Sequence, residues 1–206
     1  MFMKTYSYNV KRLGSYCTEW RQEAAAANLE CFPWPDAIDY RPVTSARLAF
    51  DGKAIFVFME TNETNLRMQA RGFSLVHTDS CMEFFFSPDP KNSSYLNFEF
   101  NPAGAMYLSI GTSRFERTEI PQENYQEYFN VKTAINGNGW NLEFHIPLSF
   151  IQQYFPAVEL KPGYVMRGNF YKCGDNTARP HYGCWSPIDL PSPNFHCPDF
   201  FGKLIF

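Results

Sequence analysis

Glu83, Glu99 and Glu143 each sit in a short run of alternating apolar and polar residues, CMEFFF, LNFEFN and WNLEFHI. Two carboxylates flanking one bond are what glycosidic cleavage requires. The same groups, helped by neighbouring amides such as Asn97, can instead hold the hydroxyls of a ligand that stays intact. Sequence does not give their separation, so both chemistries stand. A second concentration lies near the C-terminus. The stretch from Gly168 to Gly202, GNFYKCGDNTARPHYGCWSPIDLPSPNFHCPDFFG, carries three of the six cysteines and two of the four histidines. Cys173, His181, Cys184, His196 and Cys197 are donors of the kind zinc takes, but their spacings, H-x-x-C and adjacent H-C, do not form a paired knuckle. Asp175 and Asp79, with Asn176 and backbone carbonyls, are the oxygen donors that calcium would want. Cys184 beside His181 is a weak nucleophile candidate, since no oxyanion donor or orienting third group accompanies it.

The elements that must position these groups are mostly strands. Alternation and turn punctuation predict strands over Ala46–Phe50, Ala54–Glu60, Leu66–Ala70, Cys81–Ser87, Tyr95–Phe100, Ala105–Ser109, Val131–Asn136, Trp140–Pro147, Val165–Cys173 and Lys203–Phe206. Asp51-Gly52 and Asn136-Gly137-Asn138-Gly139 mark hairpins. Helix is expected only around Glu19–Leu29 and Leu148–Phe155. The pattern predicts an all-β fold, an antiparallel β-sandwich of two packed sheets with one or two short helices; a closed barrel is the alternative. The chain reads as a single domain over 1–206, with 1–33 as a strand-and-helix extension packed on it. Splitting each strand by parity puts Phe84, Phe86, Phe98, Phe100, Trp140, Phe144 and Phe170 between the sheets. The opposite faces carry Glu83, Asn97, Glu99, Glu143, His145, Arg167, Asn169 and Tyr171. Those faces are either solvated sheet surface or a platform on which amides, carboxylates and rings meet a sugar.

Composition narrows the classes. Of 206 residues, 18 are Lys or Arg and 21 are Asp or Glu, a formal charge of −3 that gives nucleic acid no basic surface. The apolar runs are too short to span a membrane. With 21 Phe, 12 Tyr and 4 Trp the chain is not a disordered one. The opening residues MFMKTYSYNVKRLG lack an apolar export segment, so the chain as written is expected in the cytoplasm, or outside the cell if a leader was trimmed from it. The six cysteines, without a CxxC pair, do not demand a disulfide framework.

An ordered set of motifs resembles family 9-like carbohydrate-binding modules, the sugar-binding domains often attached to xylanases and other glycoside hydrolases. NFYKCGD, PHYGCWSPI and PNFHCPDFFGKLIF resemble its C-terminal signature. DSCMEFFF resembles its D-x-x-x-E-F-F strand, and YLNFEFN and WNLEFHIP resemble further family strands, so the likeness runs from Trp34 to Phe206. The resemblance implies a β-sandwich that binds mono- or oligosaccharides between aromatic rings without cleaving them. It requires no cofactor, although some members hold structural calcium. On that basis the sugar is expected where the Gly174–Pro198 loop folds over the polar strand faces. Trp185 would be the ring platform, flanked by Arg179 and His181, with Glu83, Asn97 and Glu99 from the strands. Trp34, Tyr95 and Phe195 are the candidates for a second ring.

Overall fold

Residues 6–14, 19–34 and 39–206 are described by the computed structural model of the chain, so part of the expected N-terminal extension lies outside the described residues. Strands form where β-branched and aromatic residues alternate with smaller or polar ones. In chain order they are β1 Ser7–Asn9, β2 Lys11–Arg12, β3 Ala27–Asn28, β4 Thr44–Phe50, β5 Ala54–Thr61, β6 Cys81–Ser87 and β7 Tyr95–Phe100. There follow β8 Met106–Gly111, β9 Arg117–Glu119, β10 Lys132–Asn136, β11 Gly139–Pro147, β12 Val165–Cys173, β13 Tyr182–Cys184 and β14 Gly202–Ile205. Among the described residues three short α-helices interrupt them, α1 Trp20–Glu23, α2 Tyr125–Tyr128 and α3 Leu148–Tyr154. The β4–β5 turn shows how local chemistry sets register. Asp51 Oδ1 accepts from the Lys53 and Ala54 amides at 2.8 Å each, while Gly52 takes φ +92°.

Among the described residues the strands form two sheets. One runs β1-β14-β12-β6-β7-β8-β9, with β13 continuing alongside β12; the other runs β10-β11-β5-β4-β2, with β3 on β4. Pairing is antiparallel except for β1 on β14 and β2 on β4, which are parallel. The sandwich is therefore mixed at two edges, because the N-terminal residues enter both sheets as strands instead of packing outside them. The helix expected over Glu19–Leu29 is one turn, and the chain then extends into β3. The strand expected at Leu66–Ala70 is irregular. Its backbone is held by side chains instead: Ala70 N donates to Asp79 Oδ2 and Arg67 N to Ser80 Oγ.

Between the sheets lie Phe84, Phe86, Phe98, Phe100, Trp140, Phe144 and Phe170, all buried as their parity predicts. Phe98 stacks on Phe144 of the opposite sheet at 5.6 Å, and Phe84 on Phe170 at 4.9 Å. Trp185 joins this layer. Its ring lies edge-on to Tyr6 and Tyr8 and 5.8 Å from Phe170. A Cβ on Gly202 would stand 2.5 Å from that indole, so β14 can pass over Trp185 only as glycine. Gly202→Ala is expected to cost about 1–3 kcal/mol of stability through overpacking, read as a lower denaturant midpoint with an unchanged m-value.

The outer face of β6, β7 and β12 is not solvated. Residues 62–80 cross one part of it, where Val76 packs on Cys81, Ala105 and Cys173. The segment after β13 covers another, placing Ile188 and Phe201 on Phe85, Tyr95 and Tyr171. The polar strand residues are thus enclosed, except where the two coverings leave a cleft between them.

Candidate functional site

That cleft has a volume of about 360 Å³. Its floor is Glu83, Phe85 and Glu99 with Cys173 at one end; its walls are Leu75 and His77, Tyr107, Arg114 and Arg117, Asp175 and Tyr182, and the run Pro193–His196. Glu83 and Glu99 are Cα partners on β6 and β7, so strand register alone sets the two carboxylates side by side. Burial raises both. Glu99 is pushed up to about 7, with Asn97 and Arg117 opposing the rise, and Glu83 is raised well above the usual range by burial and by Glu99 beside it. A buried carboxylate pair of this kind gains from any ligand that brings hydroxyl donors.

Behind Glu99 stands a relay of hydrogen bonds. Asn97 Nδ2 donates to Glu99 Oε1 at 2.7 Å, and Asn97 Oδ1 accepts from Ser109 Oγ at 2.5 Å and from the Arg117 guanidinium. Arg117 Nε also donates to Ser109 Oγ at 2.7 Å, and the guanidinium lies 4.4 Å from the centre of the Tyr95 ring. Two protein donors on the amide oxygen and the carboxylate on its nitrogen fix the orientation of both Asn97 and Glu99.

One wall is aromatic. Phe195 stacks on Tyr171 with centroids 4.1 Å apart and planes 9° apart, and Tyr171 Oη donates to the Phe195 carbonyl at 3.1 Å. Trp34 anchors the same segment by donating from Nε1 to the Leu190 carbonyl at 2.7 Å. Tyr95 Oη and His196 Nδ1 are 2.9 Å apart, and burial with the nearby arginines lowers His196 to about 3, which keeps its ring neutral. Phe195, Tyr182, Tyr107 and His77 remain half-buried, each with surface left for a ligand.

The structure divides the residues singled out from sequence. Glu83 and Glu99 enter the cleft, and Asn97 lies just beneath it, fully buried. Trp185 does not: it is 6% exposed and belongs to the inter-sheet core, because its strand-end neighbour β14 closes over it. His181 is buried elsewhere, accepting at Nε2 from Lys172 Nζ at 2.9 Å and donating from Nδ1 to the Arg179 carbonyl at 2.7 Å. Burial and the Lys172 charge lower it to about 3, in keeping with a neutral ring. Arg179 lies over the Tyr40 ring at 4.0 Å and lines a separate cavity of about 240 Å³. Sequence proximity to Trp185 misled here, since the chain turns between them.

The metal expectations are also redistributed. Asp79 is fully buried and its oxygens face Ala70 N, Asn101 Nδ2 and Arg67, so it clamps the 62–80 segment. Asp175 lies apart from it in the cleft, 4.0 Å from His77. The five zinc candidates are dispersed: Cys184 pairs through its backbone with Cys31, Cys197 Sγ donates to the Asn194 carbonyl, His181 and His196 serve Lys172 and Tyr95, and Cys173 lies beside Glu83. Sequence reasoning missed His77, Tyr107, Arg114, Arg117 and Tyr182 as cleft residues. Tyr107 was readable, since MYLSIG alternates and its opposite-parity neighbours Met106 and Leu108 face the core.

A profile of carbohydrate-binding family 9 matches residues 19–206. Among solved structures, a candidate carbohydrate-binding protein from Bacteroides uniformis ATCC 8492 is 33% identical with a TM-score of 0.85, over 98% of this chain and 100% of that one. A family 9 module from Caldicellulosiruptor kristjanssonii, solved with cellotriose, is 14% identical with a TM-score of 0.67, over 97% and 93% of the two chains. A family 9 module from Caldicellulosiruptor kristjanssonii solved with glucose is 14% identical with a TM-score of 0.66, over 97% and 95% of the two chains. No curated protein gives a significant match. With the profile spanning both sheets and every segment that builds the cleft, the chain belongs to carbohydrate-binding family 9.

Proposed function

We propose that this protein holds a mono- or oligosaccharide in the cleft above Glu83 and Glu99, as a non-catalytic binding module. The observation that carries this reading is the pairing, in one cavity, of a desolvated carboxylate floor with half-buried rings and two arginines. Glu83, Glu99 and Asp175 accept from hydroxyls, Arg114, Arg117 and Asn194 donate, and Phe195, Tyr182 and Tyr107 meet the C–H faces of a sugar ring. A cavity of about 360 Å³ lies near the lower end of the roughly 300–1,000 Å³ typical of ligand pockets, which suits the end of a chain better than a long glycan lying flat. The non-catalytic reading is supported by the family match and not by the spacing of the two glutamates, which are cross-strand neighbours.

Cellotriose and glucose, the ligands of the two Caldicellulosiruptor structures, are the first probes, followed by a panel of other oligosaccharides. By calorimetry, Glu99→Gln and Phe195→Ala are each expected to weaken the best-binding sugar about 10- to 100-fold, or about 1.4–2.8 kcal/mol. Arg179→Ala, outside the cleft, should leave affinity unchanged. Loss of binding in Arg179→Ala with full binding in Glu99→Gln and Phe195→Ala would move the site to the smaller cavity. Release of reducing ends by the purified protein would refute the binding-only reading.

A further inference from the structure

Below the inner end of the cleft, three donors converge that sugar binding does not require together. Cys81 and Cys173 are Cα partners across β6 and β12, and both are free thiols. Glu83 follows Cys81 by two positions, so the pleat points both side chains to the same face. The two sulfurs and a carboxylate oxygen of Glu83 all lie within 4.8 Å of one another, and all three residues are buried. Cys173 Sγ donates to Glu83 Oε1 at 3.0 Å, while Glu83 Oε2, also buried, has no hydrogen-bond partner among the described residues. Cys173 and Glu83 border the cleft, so the trio is open on that side.

Two sulfurs and one oxygen form a donor set for a borderline, thiophilic ion; calcium and magnesium want oxygen alone. Three protein ligands with one open side is also the arrangement in which tetrahedral zinc keeps a fourth position for water or an incoming ligand. We propose that Cys81, Cys173 and Glu83 form a zinc site at the base of the cleft. Entry of the ion releases both thiol protons, together with any proton held by Glu83, to solvent, replaces the S–H···O contact by two sulfur–metal bonds, and gives the buried carboxylate a cationic partner. This is distinct from the dispersed donors of the C-terminal stretch, of which it uses only Cys173. It stands independently of sugar binding and is tested without sugar.

Cobalt(II) is the probe, added to the full chain under a non-thiol reductant. One equivalent is expected to give tetrahedral d–d bands and an intense sulfur-to-cobalt charge-transfer band, both bleached by added zinc. Cys81→Ser/Cys173→Ser should lose the charge-transfer band while circular dichroism shows the sandwich intact. Glu83→Gln should keep that band and weaken cobalt binding about tenfold or more. Absence of a charge-transfer band in the unaltered protein overturns the proposal. So does a band of full strength in the double variant, which would assign the thiolate to another cysteine. Should the double variant fail to fold, Glu83→Gln alone decides: undiminished cobalt affinity in it refutes the three-donor site.

Discussion

Trp185→Ala is expected to unfold the protein more readily without removing its ligand site. The indole fills the layer between Tyr6, Tyr8 and Phe170, and β14 has a glycine at the point of contact. Truncation deletes a large buried ring and leaves a cavity that β-sheet backbone on one side cannot collapse into. Core changes of this kind cost about 3–5 kcal/mol. For a chain of this size each kcal/mol moves the melting midpoint by about 2–4 °C, so a fall of roughly 6–20 °C is expected by calorimetry. Sugar affinity, measured well below the midpoint, should remain within a few-fold of that of the unaltered protein. The reverse pattern, an unchanged midpoint with binding abolished, would restore the ring to the sugar platform that the sequence suggested.

Trp185 also shows where sequence stops being informative. Parity along a strand is a local property, and it sorted Phe84 from Glu83 and Phe98 from Glu99 correctly, because each sheet has one inner face. Turn chemistry was equally local, as at Asp51-Gly52. What cannot be read from alternation is what covers the outer face. Glu83 and Glu99 look like residues of a solvated sheet until residues 62–80 and the C-terminal segment are seen to fold over them. Those coverings have no repeating pattern. They are held by individual long-range contacts, such as Trp34 to the Leu190 carbonyl or Asn101 Nδ2 to Asp79. A tryptophan in such a segment can turn inward or outward at no cost visible in the sequence. Arg117 illustrates the same limit: its part in the cleft depends on β9 lying beside β8, a pairing of only three residues.

Lys172→Met is expected to be among the most damaging single changes, and to be partly repaired by a second one. Lys172 is fully buried, and its ammonium meets Glu63 at 2.8 Å, the Cys173 carbonyl at 2.9 Å and His181 Nε2 at 2.9 Å. Two of these contacts are hydrogen bonds, to the Cys173 carbonyl and to His181, and the Glu63 contact is an ion pair. Glu63, 2% exposed, has no water to turn to if the ammonium is removed. Breaking a buried pair from one side costs about 3–5 kcal/mol, while replacing both partners with apolar groups is often neutral. Lys172→Met should therefore lose about that much, and Glu63→Leu/Lys172→Met should recover more than half of it, in denaturant titrations. Because Glu63 begins the segment that carries Leu75 and His77 to the cleft, the single change should also weaken sugar binding, and the double change should restore it. Single-change losses that simply add in the double variant, within about 0.5 kcal/mol, would show that the two charges do not act as a pair. The ion pair would then be incidental to the fold, and the 62–80 wall would owe its position to its other contacts, those of Asp79, Ser80 and Val76 among them.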